Sequence, residues 1–321
     1  MYEMQRKRCV LCMLEGLKEN KMASQYWYDD AANREDLLDL ITNTSPRETQ
    51  LFSGLGKSKA ESIRHEWLTD SLKTPAHNAF AEGVDASYPG VSNPARLVNY
   101  TQIIREGYQV TDSEEAGLKA GMQSRVSYED MKQLMNWKND AEFALMRASL
   151  VCGSGSTPRS MQGVKNFINS GTVPLYTNAS GVSLTEALLN DRLQDVWNAG
   201  GGEVDAIYVP MYLKRKISAF GTNITKNVAA DDRRLVQSID TYQADAAKLV
   251  KLFPHRYITV SGDTNYDIVG IQEDKFRVAI YRSPYTRELA KTGDSTNKEA
   301  VGEITLEVLN PKAGFWAKGM L

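Results

Sequence analysis

Cysteine is scarce in this chain, no apolar run is long enough to cross a bilayer, and neither sign of charge is in excess. Each absence removes a class of protein. The three cysteines, Cys9, Cys12 and Cys152, form an odd and sparse set that suits a reducing compartment rather than a disulfide framework. Cys9 and Cys12 have the spacing of half a zinc or redox motif, but no second pair, nearby histidine or preceding strand completes it. No stretch of about 18 apolar residues occurs, so no membrane-spanning helix is expected. The basic Arg6, Lys7 and Arg8 precede an apolar run, Cys9 to Leu14, that is too short for a signal peptide and lacks a small-residue cleavage site. With 38 Lys and Arg against 40 Asp and Glu, the formal net charge of -2 gives no long-range pull on nucleic acid or on an acidic membrane.

Catalytic patterns are missing as well. Gly54-Leu-Gly-Lys-Ser58 imitates the end of a phosphate-binding loop, but Leu51 stands where the first glycine is needed and no buried strand precedes it. Asp263, Asn265 and Asp267 imitate the start of a calcium loop, yet Ile268 replaces the glycine and Asp274 the bidentate glutamate; a polar turn between strands is expected. His65, His77 and His255 have no helical pairing, and no Gly-x-Ser-x-Gly elbow is present. Asp231 to Arg234 reads as a solvated loop. Glu66 and Asp70 share a strand face when counted by twos, which suits a structural pair bonding neighbouring chains better than an acid/base pair. No catalytic, cofactor-binding or metal-ligating residue is assigned, and the chain is not expected to be an enzyme.

What is present is a mixture of helices and strands over 321 residues, enough for a large core. Residues 22 to 30 are polar and aromatic, as in an extended arm, and Asn33 to Ile41 reads as a short capped helix. Met22-Ala-Ser24 reads as a natural bacterial start, which makes residues 1–21 an extension that is either spurious or disordered. Ile63 to Leu72 alternates like a strand, and Arg96 to Val110 alternates again as a second strand. Between them Thr74 to Pro94 holds three prolines, two glycines and few charges, without a period. So long an irregular segment is usually functional, and two strands flanking it describe an extended flap.

Ser127 to Leu150 is the clearest helix, with Ser127 and Asp130 as a capping box and Leu134, Trp137, Ala141, Ala144, Leu145 and Ala148 on one face. A break at Gly153 to Pro158 follows. Leu184 to Asn198 is a second helix with Ser183 and Glu186 as its cap signal and Gly200 to Gly202 as its stop. Val204 to Val209 reads as a buried strand, with Pro210 opening a helix to Phe220. Leu235 to Tyr242 returns as a strand, giving a compact α/β lobe between residues 184 and 242. Strands are then expected at Tyr257–Val260, Tyr266–Ile271, Phe276–Tyr281 and Glu303–Leu309.

Several phrases, in order, resemble the major head protein family of certain short-tailed bacteriophages and their relatives. They are Asn33-Arg-Glu-Asp-Leu37, Ser45-Pro46 with Thr49, Glu66-Trp-Leu-Thr-Asp-Ser-Leu72, Glu82-Gly83 and Asn99-Tyr-Thr-Gln-Ile103. Leu289 to Ser295, Glu303 to Val308 and Asn310-Pro-Lys-Ala313 continue the set, so the resemblance runs over residues 31 to 321. It implies an α+β chain with the Hong Kong 97-type capsid fold. By resemblance, residues 22–60 are the N-terminal arm and 61–115 the extended loop. Residues 116–183 with 251–321 are the peripheral domain, carrying a spine helix at 127–150, and 184–250 the axial domain. The implied function is a major capsid protein that self-assembles as hexamers and pentamers into an icosahedral head shell around double-stranded DNA. The implied setting is the virion, assembled in the bacterial host cytoplasm, with a portal, a separate scaffolding or decoration protein, non-specific contact with packaged DNA, and no membrane. Subunit-interface candidates are Trp67, Asp70, Lys73, Glu82 and Tyr100; Trp67 and Tyr100 are equally suited to the core. Lys73, in the loop, is a lysine that could in principle join an isopeptide cross-link of the kind one branch of the fold makes, without a matched partner residue. The alternatives are an encapsulin-type compartment shell and a soluble α/β enzyme built on the 184–242 lobe.

Overall fold

A computed structural model describes residues 49–86, 88, 90, 91, 93–118, 121–169, 175–220, 240–243, 249–259, 265–291 and 293–321. The expected helix at residues 33–41, the cysteines at 9 and 12 and the loop at 231–234 lie outside them. All the helices and strands described belong to one unit, residues 43–118 and 124–321; of the second unit, residues 1–42 and 119–123, only 121–123 are described, and they carry no helix or strand. The first elements are α1 (Gln50–Gly54), β1 (Gly56–Lys59), β2 (Arg64–Thr69), β3 (Ala95–Tyr100), β4 (Gln102–Thr111) and α2 (Asp112–Ala116). The long helix α3 (Arg125–Arg147) and α4 (Val164–Asn169) follow, then β5 (Tyr176–Asn178), α5 (Glu186–Asn198), β6 (Ala206–Val209) and α6 (Met211–Phe220). The chain closes with β7 (Thr241–Gln243), β8 (Leu249–Pro254), β9 (Tyr266–Ile271), β10 (Phe276–Glu288), β11 (Ser295–Val308) and β12 (Gly314–Met320).

Helix α3 spans about 34 Å at 1.5 Å per residue. It starts two residues before the expected Ser127, because Ser124 is the cap: its hydroxyl accepts from Ser127 N at 3.2 Å. The Glu115 carboxylate accepts from Arg125 N at 2.9 Å and Val126 N at 3.3 Å, so the orphan donors of the first turn are met from outside the helix. Trp137, Ala141, Ala144 and Leu145 are buried as their spacing predicts, against a four-stranded sheet ordered β1-β10-β11-β4. Trp137 donates Nε1–H to Ile104 O at 3.0 Å. Its ring lies over Gly302, where a Cβ would come within 2.6 Å of it.

The expected strand from Arg96 to Val110 is two strands in two sheets. β3 pairs only with β2, antiparallel, while β4 pairs with β11. The switch is at Thr101, fully buried, whose N–H goes to Ile63 O at 2.9 Å and whose hydroxyl goes to Glu303. No Gly or Pro stands at the switch, so local turn signals do not reveal it.

The second sheet is ordered β5-β12-β9-β6-β8-β7. β6 is buried at every residue, parallel to β8 and antiparallel to β9. Helix α5 is capped by Thr185, whose hydroxyl accepts from Leu188 N, rather than by the Ser183 box. Gly200 and Gly202 end it with positive φ, and at Gly201 a Cβ would strike the Lys312 carbonyl. Pro210 opens α6 as expected, its carbonyl accepting from Lys214 N. Of the strand expected at Tyr257–Val260, the described residues Tyr257 to Thr259 lie in a turn and bends, and the strand is β8 just upstream. β12 was not expected from the sequence, and β10 and β11 are far longer than the apolar runs inside them.

Candidate assembly surface

β2 and β3 form the stem of the flap, with Trp67 opposite Leu97 and Thr69 opposite Ala95. The stem is fastened to β11. Along that strand Glu299, Glu303 and Glu307 recur every four residues, share one face, and are all buried. Glu303, 1% exposed, accepts from Thr101 Oγ1 at 2.5 Å and Arg282 Nε at 2.9 Å and pairs with Arg159. Burial pushes its carboxyl up, but the hydrogen bonds from Thr101 and Arg159 outweigh that and hold it below the ordinary carboxylate range. Glu307 faces His65 Nε2 at 3.4 Å and accepts from Ser58 Oγ at 2.6 Å; the His65 contact lowers its carboxyl against the opposing effect of burial. Glu299 is shared by Arg287 and Arg105.

Between these charges the stem's backbone is also tied down. Buried Asn99 donates Nδ2–H to Leu306 O at 2.7 Å and accepts from Gln162 N at 2.8 Å. Thr305 donates its hydroxyl to Tyr100 O at 2.9 Å. Because each tie is a buried polar group with its partner in place, losing one partner strands the other, and the stem is held to one position on the sheet.

The tip is the opposite case. Residues 70–94 carry no strand among those described, only a turn at Glu82–Gly83 with Gly83 at φ +80. Leu72, Tyr88 and Val91 are 98%, 92% and 94% exposed, and Phe80 and Val84 are exposed too. Five large apolar side chains are thus left in water along one segment.

The expected interface residues separate accordingly. Trp67 is buried in its own chain: Nε1–H donates to Val308 O at 2.7 Å, and its ring centroid lies 6.2 Å from that of Phe167 and 5.6 Å from that of His65. Asp70, Lys73 and Glu82 are exposed on the flap, Asp70 accepting from Ser71 N of the next residue. Tyr100 is half-buried, and a hydrogen bond with the exposed Cys152 raises its hydroxyl pKa. Glu66 does not pair with Asp70; Arg64 at 2.6 Å and Arg96 at 3.1 Å hold it inside the stem.

Other buried charges were missed by sequence reasoning. Glu142, fully buried, accepts from Leu51 N, Phe52 N and His255 Nε2. Lys165 pairs with Asp267 at 2.5 Å, and burial lowers its pKa although the Asp267 charge opposes this. The available signal was a charge inside an apolar run, Ala141 to Met146 and Val164 to Ile168, which is tolerated only where donors or acceptors meet it. Among the described residues no group of three His, Cys, Asp or Glu could hold a metal ion, and no helix is long and apolar enough to cross a membrane.

No curated protein sequence matches the chain. The solved structure of Mycobacterium phage Bobi is similar at 8% identity and TM-score 0.61, over 92% of this chain and 98% of that one. The capsid of Cyanophage P-SCSP1u is similar at 8% identity and TM-score 0.60, over 89% and 92%. The holo-SrpI encapsulin complex from Synechococcus elongatus PCC 7942 is similar at 14% identity and TM-score 0.56, over 90% and 92%. Likeness at such identities is of fold, and the fold is the Hong Kong 97-type α+β capsid fold. The family described as SU10 major capsid protein matches residues 22–320, nearly the whole chain, and the protein belongs to that family.

Proposed function

We propose that the flap, residues 61–115, lies over a neighbouring copy of the chain and buries its apolar tip there, so that hexamers and pentamers close into an icosahedral shell around double-stranded DNA. Family membership makes the chain a structural protein of a self-assembling phage head, the shell of the virion. The observation that carries the flap reading is the exposure of Leu72, Tyr88 and Val91 on a stem that is itself firmly fixed. Closed rings and cages need contacts between unlike surfaces of identical subunits, and a fixed stem with an unfilled tip supplies one such surface. Asp70, Lys73 and Glu82 would then line the rim of the contact, and Tyr100 would lie at its root. Trp67 would contribute from beneath, by stiffening the stem.

In this reading residues 22–60 form the arm, 116–183 with 251–321 the peripheral domain around helix α3, and 184–250 the axial domain. The six-stranded sheet takes β6, β7 and the first two residues of β8 from the range 184–250, and β5, the rest of β8, β9 and β12 from the other two ranges, so the two domains would share one sheet. A portal and a separate scaffolding or decoration protein complete the head, assembly proceeds in the bacterial host cytoplasm, and the near-neutral charge suits a wall that contacts packaged DNA without sequence or strong affinity. The likeness to an encapsulin complex supports a second reading, a shell around protein cargo.

Electron microscopy of the purified full chain tests the proposal. Uniform closed shells are expected, with nucleic acid inside particles recovered from infected cells. A chain that stays monomeric in every condition would overturn it, and shells filled with protein in place of DNA would favour the compartment.

A further inference from the structure

Among the described residues, both long-range hydrogen bonds made by the segment 49–55 end on one side chain. The Glu142 carboxylate, 0% exposed on helix α3, accepts from Leu51 N at 2.8 Å and Phe52 N at 2.6 Å. The segment's other hydrogen bonds are local: Ser53 N to Thr49 O, Leu55 N to Leu51 O, Thr49 Oγ1 with Ser53 Oγ, and Lys57 Nζ to Phe52 O. A third donor, His255 Nε2, meets the same carboxylate at 2.9 Å from the end of β8. His255 is buried and its Nδ1 has no partner, so the ring's one useful proton is the one aimed at Glu142.

A helix of five residues does not persist in water by itself. Here it is held by Leu51 and Leu55 in the core, by the edge of Phe52 on Trp137, and by this carboxylate. Downstream, β1 is laced to β10 over four residues and needs no help from Glu142. The tie is therefore local to the segment 49–55.

We propose that Glu142 is a positioning residue: its carboxylate pins the segment 49–55 onto α3, as a strap that detaches from the helix without unfolding either sheet. Its bearing on assembly rests on residues 22–60 being an arm that reaches a second copy; the strap itself does not. The sequence already contains the requirement, since a carboxylate between Ala141 and Phe143 is stable only if donors converge on it. The tertiary fold supplies them from two segments, 90 residues before it and 113 after it.

Hydrogen exchange of the unassembled full chain tests the strap, and shell formation is scored separately. In Glu142→Gln one acceptor oxygen becomes an NH2 facing a backbone N–H, and amides 51–55 should exchange at least about tenfold faster, while 206–209 and 304–308 keep their rates. His255→Phe removes only the third donor and should accelerate the same amides by less, which keeps the test readable if the first variant folds poorly. Unchanged exchange at 51–55 in both variants, or a uniform rise over all segments, would overturn the proposal. Fast local exchange with normal shells keeps the strap and overturns the arm's role in assembly. Lost shells with wild-type exchange sink the strap and leave the arm reading standing.

Discussion

Truncating Trp67 distinguishes a residue that holds the flap from one that touches a neighbour. In the structure its ring is 9% exposed, packed on Phe167 and His65, with Nε1–H on the Val308 carbonyl at 2.7 Å. Trp67→Ala removes a large buried ring and leaves a cavity, at a cost of about 3–5 kcal/mol. Trp67→Phe keeps most of the apolar volume but leaves the Val308 carbonyl without its donor, at about 1–3 kcal/mol. Against a total stability on the order of 5–15 kcal/mol, the first change removes a large share, and should lower the midpoint of thermal unfolding by roughly ten degrees. Both defects belong to the isolated subunit, so they should appear in unfolding scans at concentrations where no shell forms. The two variants should also rank in that order in the exchange rates of amides 64–69 and 95–100. If Trp67→Ala unfolds like the wild type and fails only in assembly, the ring is an interface anchor and the reasoning is wrong.

The flap tip should behave inversely. Phe80→Ser with Tyr88→Ser should change subunit stability by no more than about 0.5 kcal/mol, since neither ring is packed, yet abolish shells in sedimentation and electron microscopy. Acid should loosen the stem: Glu303 and Glu307 have lowered pKa values, so their contribution is complete above the ordinary carboxylate range and is lost as pH falls through the lower folded values. Exchange of amides 95–101 followed from neutral to acid pH reads this directly, and Glu303→Gln should remove most of that dependence. Gly302→Ala puts a Cβ 2.6 Å from the Trp137 ring and 3.0 Å from Pro284 Cα, and should cost about 1–3 kcal/mol by overpacking, measurable by denaturant titration of the subunit.

Local signals determined a good deal of this protein. The face of helix α3, the glycine stop after α5, Pro210 at the start of α6 and the irregular tip between residues 74 and 94 depend on neighbours a few residues away, and such preferences are written in consecutive positions. The ordered phrases from Asn33 to Ala313 also carried the family.

Only the tertiary structure decided where the strand pattern changes sheet. No Gly or Pro stands near Thr101 to divide the stretch from Arg96 to Val110, and what fixes the break there is a hydrogen bond to Glu303, 202 residues away. The same holds for the charges. Glu303 and Glu307 look solvated in one dimension, and even at Glu142, set in an apolar run, the donors that make its burial possible come from distant segments. Trp67 is the clearest instance. The sequence left its ring equally suited to a neighbour or to the core, and the fold placed the Val308 carbonyl and the Phe167 ring beside it. The indole N–H is satisfied and its face covered within its own chain.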